Sequence, residues 1–166
     1  MNKLYVISFV VATLTINNGC QKIKDITKSP LEKFMSKLCH EWTVNSYNVK
    51  EYSSNQNGSA LTKDTLLPIT KMTFTQKDGS AEGDVVYTSV SKEVTTTETQ
   101  RWRYVDDIQI DLVYDNPAYN IIGLSTRYDI TELTDNAFKF KRDENLVSTS
   151  NGAKYGELHT TVDMKR

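Results

Sequence analysis

The chain has no marked excess of either charge, two cysteines, two histidines and no apolar run long enough for an ordinary membrane-spanning helix. Lys22, Lys24 and Lys28 are interrupted by Asp25, so no basic field is present to draw in nucleic acid or anionic lipid. Glycine-rich phosphate cradles, dinucleotide fingerprints and serine-nucleophile elbows are all missing, and no cofactor is expected. Cys39, His40 and His159 lack the close spacing of a structural zinc site, so no metal is expected either. Cys39-His40-Glu41 is no better as a thiol nucleophile with its base, because neighbouring side chains on an extended strand point to opposite faces. Asp106 and Asp107 read as turn residues rather than an acid/base pair, and no glycosidase arrangement of carboxylates can be defended. A noncatalytic protein is expected.

What the chain does carry begins at its start. Lys3 precedes the apolar run Leu4 to Ile16, and Gly19 stands directly before Cys20, the layout of an exported N-terminal segment. The site resembles a bacterial lipoprotein signal, with Asn17 in place of the usual leucine-like residue. The resemblance implies cleavage before Cys20 and lipidation of its thiol, giving residues 1–19 as signal peptide, 20–28 as a lipid-anchored tether and 29–166 as a β domain. Removing Lys3 leaves 19 Lys and Arg against 21 Asp and Glu, a formal charge of −2. Cys39 is then the one free thiol, so no intramolecular disulfide is expected. Several acyl chains would hold such a protein firmly on a bilayer. Lipoproteins of Bacteroidota-like bacteria bound for the cell surface carry acidic residues after the cysteine, whereas Gln21-Lys22-Ile23-Lys24 do not. The expected address is the outer membrane, facing the periplasm, with the cell surface or secretion as alternatives. Asp64-Thr65-Leu66 is similar to a short periplasmic O-glycosylation signal, with Thr65 as acceptor.

Ser29-Pro30-Leu31-Glu32 has the form of a capped helix start, and Leu31, Phe34, Met35 and Leu38 recur on one face. From Glu41 the period becomes strand-like, with Trp42, Val44 and Ser46 set against Thr43, Asn45 and Tyr47. Ser53 to Gly58 reads as a polar loop within a long connection from Asn48 to Pro68. Ile69, Met72 and Phe74 lead to the Asp78-Gly79 hairpin turn, and Val85 to Val90 follows. The Thr95-Thr96-Thr97 run enters Arg101-Trp102-Arg103-Tyr104, arginines opposite aromatics. After the reversal at Asp106-Asp107, Ile108, Ile110, Leu112 and Tyr114 alternate with Gln109, Asp111 and Val113. A loop from Asp115 through Gly123 leads to Tyr128 and Ile130, with a bulge or strand end near Glu132. Ala137 to Phe140 and Glu157 to Met164, parted by the polar stretch Asp143 to Gly152, complete about eight antiparallel strands. An all-β barrel with a short N-terminal helix is expected, because closure removes exposed edges; a β-sandwich is the alternative.

The order of landmarks also resembles the small lipocalin-like domains of Bacteroidota lipoproteins. The matching residues are Leu38 to Trp42, Met72-Thr73-Phe74 before Lys77-Asp78-Gly79-Ser80, Trp102-Arg103-Tyr104 before Asp106-Asp107, and Tyr128 to Asn136 before Phe138-Lys139-Phe140. The resemblance implies a small barrel on a lipid anchor and transfers no ligand set.

Two binding roles follow. In an interaction protein, the favoured reading, the loops Tyr52–Leu67 or Asp115–Leu124 meet an envelope protein or glycan, with Tyr119, Ile121, Ile122 and Leu124 as a contact patch beside Tyr114. In a carrier of a small hydrophobic ligand, Trp102, Tyr104, Tyr114, Tyr128, Phe138 and Phe140, with Ile110 and Leu112, line a partly open interior. Those side chains serve equally as solid core, since small eight-stranded barrels are either filled or hold one ligand.

Overall fold

In the computed structural model, residues 28–55, 58–116, 121–148 and 150–166 are described. The chain divides into two units, Met1–Ser36 and Lys37–Arg166. The helix α1, Pro30–Leu38, starts on the expected capping box: the Glu32 N–H donates to Ser29 Oγ at 3.2 Å and the Ser29 N–H to Glu32 Oε2 at 2.7 Å. Phe34, Met35 and Leu38 on its apolar stripe are buried.

The second unit is built from β1 (Glu41–Asn55), β2 (Gly58–Leu66), β3 (Ile69–Gln76), β4 (Glu82–Ser91), β5 (Val94–Asp106), β6 (Gln109–Asn116), β7 (Ile121–Leu133), β8 (Ala137–Val147) and β9 (Lys154–Lys165). Every pairing is antiparallel, and consecutive strands from β3 to β9 are neighbours. β9 returns to β1 along Thr43–Ser53, which closes the barrel and excludes the sandwich. β2 and β3 share one edge of β1, β2 against Asn48–Asn55 and β3 against Glu41–Thr43. They act as one strand position interrupted at Leu67-Pro68, so nine segments make an eight-stranded, closed antiparallel barrel.

Four expectations are corrected. The long Asn48–Pro68 connection is a hairpin: β1 runs to Asn55 and β2 returns from Gly58. Much of β2 is exposed, so neither of its faces has to be apolar and the alternation that betrays a strand is missing. The loop from Asp115 and the polar stretch from Asp143 are likewise shorter than read, because β6 reaches Asn116, β7 starts at Ile121 and β8 extends to Val147. Ile108 lies in the β5–β6 turn at 64% exposure rather than on the apolar stripe, its N–H donating to Asp106 Oδ1 at 2.9 Å. The turn chemistry itself holds: Asp78 and Gly79 both take positive φ, 42° and 72°. The bulge near Glu132 is present as a register shift between Ile130 and Glu132.

One half of the barrel is solid. Trp42, Phe74, Trp102, Phe138 and Phe140 are fully buried, with Met72, Val85, Ile110, Val162 and Met164 among them. Phe138 sits at the centre, 5.7 Å from Trp42, 5.6 Å from Phe74 and 5.1 Å from Phe140 between ring centroids. Such pairs add about 0.5–1.5 kcal/mol each beyond area burial. Both indoles are satisfied: Trp42 Nε1–H donates to the Leu38 carbonyl at 2.9 Å and Trp102 Nε1–H to the Thr75 carbonyl at 3.0 Å.

Candidate functional site

Above that aromatic layer the strands stay paired but their inward side chains become more polar, with tyrosine, serine, threonine, glutamine and glutamate among the aliphatics. The result is a recess of about 690 Å³. Its floor carries three buried tyrosines, Tyr47 from β1, Tyr87 from β4 and Tyr128 from β7. Tyr128 joins floor to core, its ring 5.2 Å from Phe140 and nearly perpendicular to it. Leu112 and Tyr114 of β6 and Thr126 and Leu124 of β7 form one wall, with Leu112 opposite Thr126 and Tyr114 opposite Leu124 in register. Facing them, β4 and β5 contribute Ser89 opposite Thr96 and Tyr87 opposite Glu98, with Gln100 and Thr97 alongside. Leu67 and Ile69 flank the break between β2 and β3 and complete the lining.

Two of the floor phenols, Tyr47 and Tyr87, hold their protons. Burial pushes the Tyr47 hydroxyl far above the ordinary tyrosine range, and the neighbouring Tyr128 and Tyr87 push it further while Arg142 opposes them weakly. Burial does the same to Tyr87, with Tyr128 and Glu98 adding to it. Tyr47 and Tyr87 therefore offer neutral hydroxyls, each able to donate and accept, in a largely apolar setting. Glu98 accepts a hydrogen bond from Gln100 Nε2 at 2.9 Å. Arg142 is bound to Glu144 at 2.7 Å.

The expected ligand residues fall into three groups. Tyr114 and Tyr128 line the recess, as does Leu112. Trp102, Phe138 and Phe140 belong to the solid layer beneath it, fully buried and away from the opening, and Ile110 lies with them. Tyr104 points to the β5–β6 turn, where its hydroxyl donates to Asp107 Oδ1 at 2.9 Å. Of the expected contact patch, Leu124 is 57% exposed and stands on the recess wall. Ile121 and Ile122 open β7, while Tyr119 lies outside the described residues. Cys20 and its flanking segment also lie outside them. Thr65 is on β2, half-buried, opposite Val49.

Strict alternation sets Tyr47 with Thr43 and Asn45 on the face opposite Trp42, whereas in the structure Tyr47 is buried like Trp42. A register shift between Val44 and Ser46 inserts an extra residue into β1, so Tyr47 turns inward in place of Ser46. Tyr87 and Glu98 were missed for a different reason. Tyr87 alternates in phase with Val85, a legible signal, but Glu98 sits in a run of exposed residues and becomes a site residue only through its register with Tyr87.

Elsewhere, burial pushes the Cys39 thiol up to about 11, which disfavours its thiolate. Among the described residues no group of three or more His, Cys, Asp and Glu is placed to hold a metal, and no helix is long and apolar enough to cross a membrane.

No family model and no curated protein matches the chain. Among solved structures, a deswapped triple mutant of bovine odorant binding protein aligns over 78% of this chain and 74% of that one, at 12% identity and a TM-score of 0.42. A redesigned β-barrel aligns over 79% of this chain and 92% of that one, at 15% identity and a TM-score of 0.38. These values mark a distant likeness of fold and carry no statement about ligand or partner.

Proposed function

We propose that the barrel is a noncatalytic carrier of a small amphipathic molecule. The recess of about 690 Å³ above a filled aromatic core carries this reading. It falls within the ~300–1,000 Å³ typical of small-molecule sites, and combines apolar walls with a few polar handles. Leu67, Ile69, Leu112 and Leu124 would contact the body of the ligand, and the hydroxyls of Tyr47, Tyr87 and Tyr128 would orient it. A carrier is preferred over an adaptor in envelope-complex assembly because Leu124, a member of the contact patch, belongs to the recess wall.

N-Phenyl-1-naphthylamine, a neutral dye that brightens in apolar surroundings, tests the carrier. Saturable one-to-one brightening is expected, and Thr126→Trp, which places an indole in the recess, should weaken it at least about tenfold. Lack of saturable binding by the intact protein, or full binding by a folded Thr126→Trp variant, would overturn the reading.

We also propose delivery to the outer membrane on a lipid at Cys20, facing the periplasm. Lys3, the apolar run to Ile16 and Gly19-Cys20 support it. The mass of the chain extracted from membranes is the test.

A further inference from the structure

Resting on the carrier reading, we infer that the recess selects an organic cation, an amine borne on an aromatic or apolar body, with Glu98 as its counter-charge and tyrosine rings as its surroundings. Glu98 is the one acidic or basic side chain of the lining; the others are tyrosines, hydroxyl and amide side chains, and aliphatics. Among the described residues Glu98 makes no ion pair. Its hydrogen bond from Gln100 is neutral, so none of its partners among the described residues balances the carboxylate with a positive charge. The nearby cation whose field reaches Tyr47, Arg142, is committed to Glu144 at 2.7 Å and adds no net charge to the mouth.

The position of Glu98 matters as much as its sign. It is directly opposite Tyr87 across β4 and β5, so both side chains leave the same face of the sheet as adjacent neighbours. Tyr47, Tyr114 and Tyr128 complete a set of four tyrosines around the same space. An ammonium seated beside Tyr87 would gain the attraction of aromatic rings together with that of the carboxylate. An anionic ligand would meet the carboxylate with nothing to offset it, and a neutral one would leave the Glu98 charge uncompensated. The discrimination is therefore electrostatic, while the apolar walls accept any body of suitable size.

Calorimetric titration of the intact protein with tryptamine, tryptophol and indole-3-acetate isolates the charge, since the three share an indole and a short side chain. Tryptamine should bind about tenfold more tightly than tryptophol, and indole-3-acetate more weakly than either. In Glu98→Gln the amine-to-alcohol ratio should fall toward one. In Glu98→Lys the order should reverse in favour of indole-3-acetate, a gain that a merely damaged protein would not produce. Equal binding of the three by the wild type, or an unchanged order in a folded Glu98→Lys variant, would overturn the cation preference and leave the carrier standing. Absence of binding by all three, with no dye binding either, would remove both.

Discussion

His159, on the outer face of the barrel, stands between two carboxylates. Its Nδ1 is 2.6 Å from Asp143 Oδ1 and its Nε2 3.1 Å from Glu157 Oε2, while Tyr52 packs edge-on against the ring at 5.1 Å. The Asp143 hydrogen bond, with help from Glu157 and against burial, raises the His159 pKa above its ordinary value. The His159 contact in turn lowers Asp143, and Lys154 followed by His159 lowers Glu157. The raised imidazole contributes stability that is fully present below its unfolded value and is lost as pH rises through the folded one. The two carboxylates contribute stability that is present above their unfolded values and is lost as pH falls through their lowered folded ones. The cluster therefore stabilises most between the carboxylate and imidazole ranges. His159→Gln should lower the Tm more at about pH 5.5 than at about pH 9. A Tm difference that is the same at both pH values would contradict the assignment. Nothing local in the sequence announces this cluster, because Asp143 and His159 meet through the register of β8 with β9.

At the level of elements, legibility followed the turns. Ser29 with Glu32, Asp78-Gly79 and Asp106-Asp107 carry their conformations in their own side chains, and each was read in place. The β4–β5 turn could not be read that way: Lys92 and Glu93 both adopt positive φ, 47° and 68°, without the glycine or asparagine that normally signals such a turn. β4 also depends on a residue whose role shows only in three dimensions. A Cβ on Gly83 would stand 1.7 Å from the Thr75 carbonyl oxygen and 2.9 Å from Trp102 Nε1, the two atoms joined by the indole hydrogen bond. Gly83→Ala should thus force β3 and β4 apart at the edge of the aromatic layer. We expect a loss of about 2–3 kcal/mol in urea unfolding. A change below about 0.5 kcal/mol would mean that the strands yield without cost.

For the whole molecule, the division into a filled half and an open half decides what the barrel can do. The same alternation of inward residues runs through both, but tightly packed apolar rings fill one, while tyrosines, hydroxyl side chains and a few aliphatics surround open space in the other. A ligand site on a tethered barrel is held at the membrane surface without being part of it, provided Cys20 is lipidated. Intact-mass analysis of the chain extracted from membranes of its native host should give a product beginning at Cys20 with added acyl mass. An unprocessed chain, or one that is cleaved but carries no lipid, would sink the anchor.

The sequence by itself determined the all-β class, the capped helix, most of the turns and the aromatics of the solid layer, because these depend on local conformational preference and on the two-residue alternation of a half-buried strand. Whether those aromatics would line a cavity or fill a core was decided only by the tertiary structure. A bulge at Asn45 exchanges Ser46 for Tyr47 on the inner face, and strand register sets Glu98 beside Tyr87. Both depend on pairings between distant segments, and one residue of slip would turn either side chain to the opposite face.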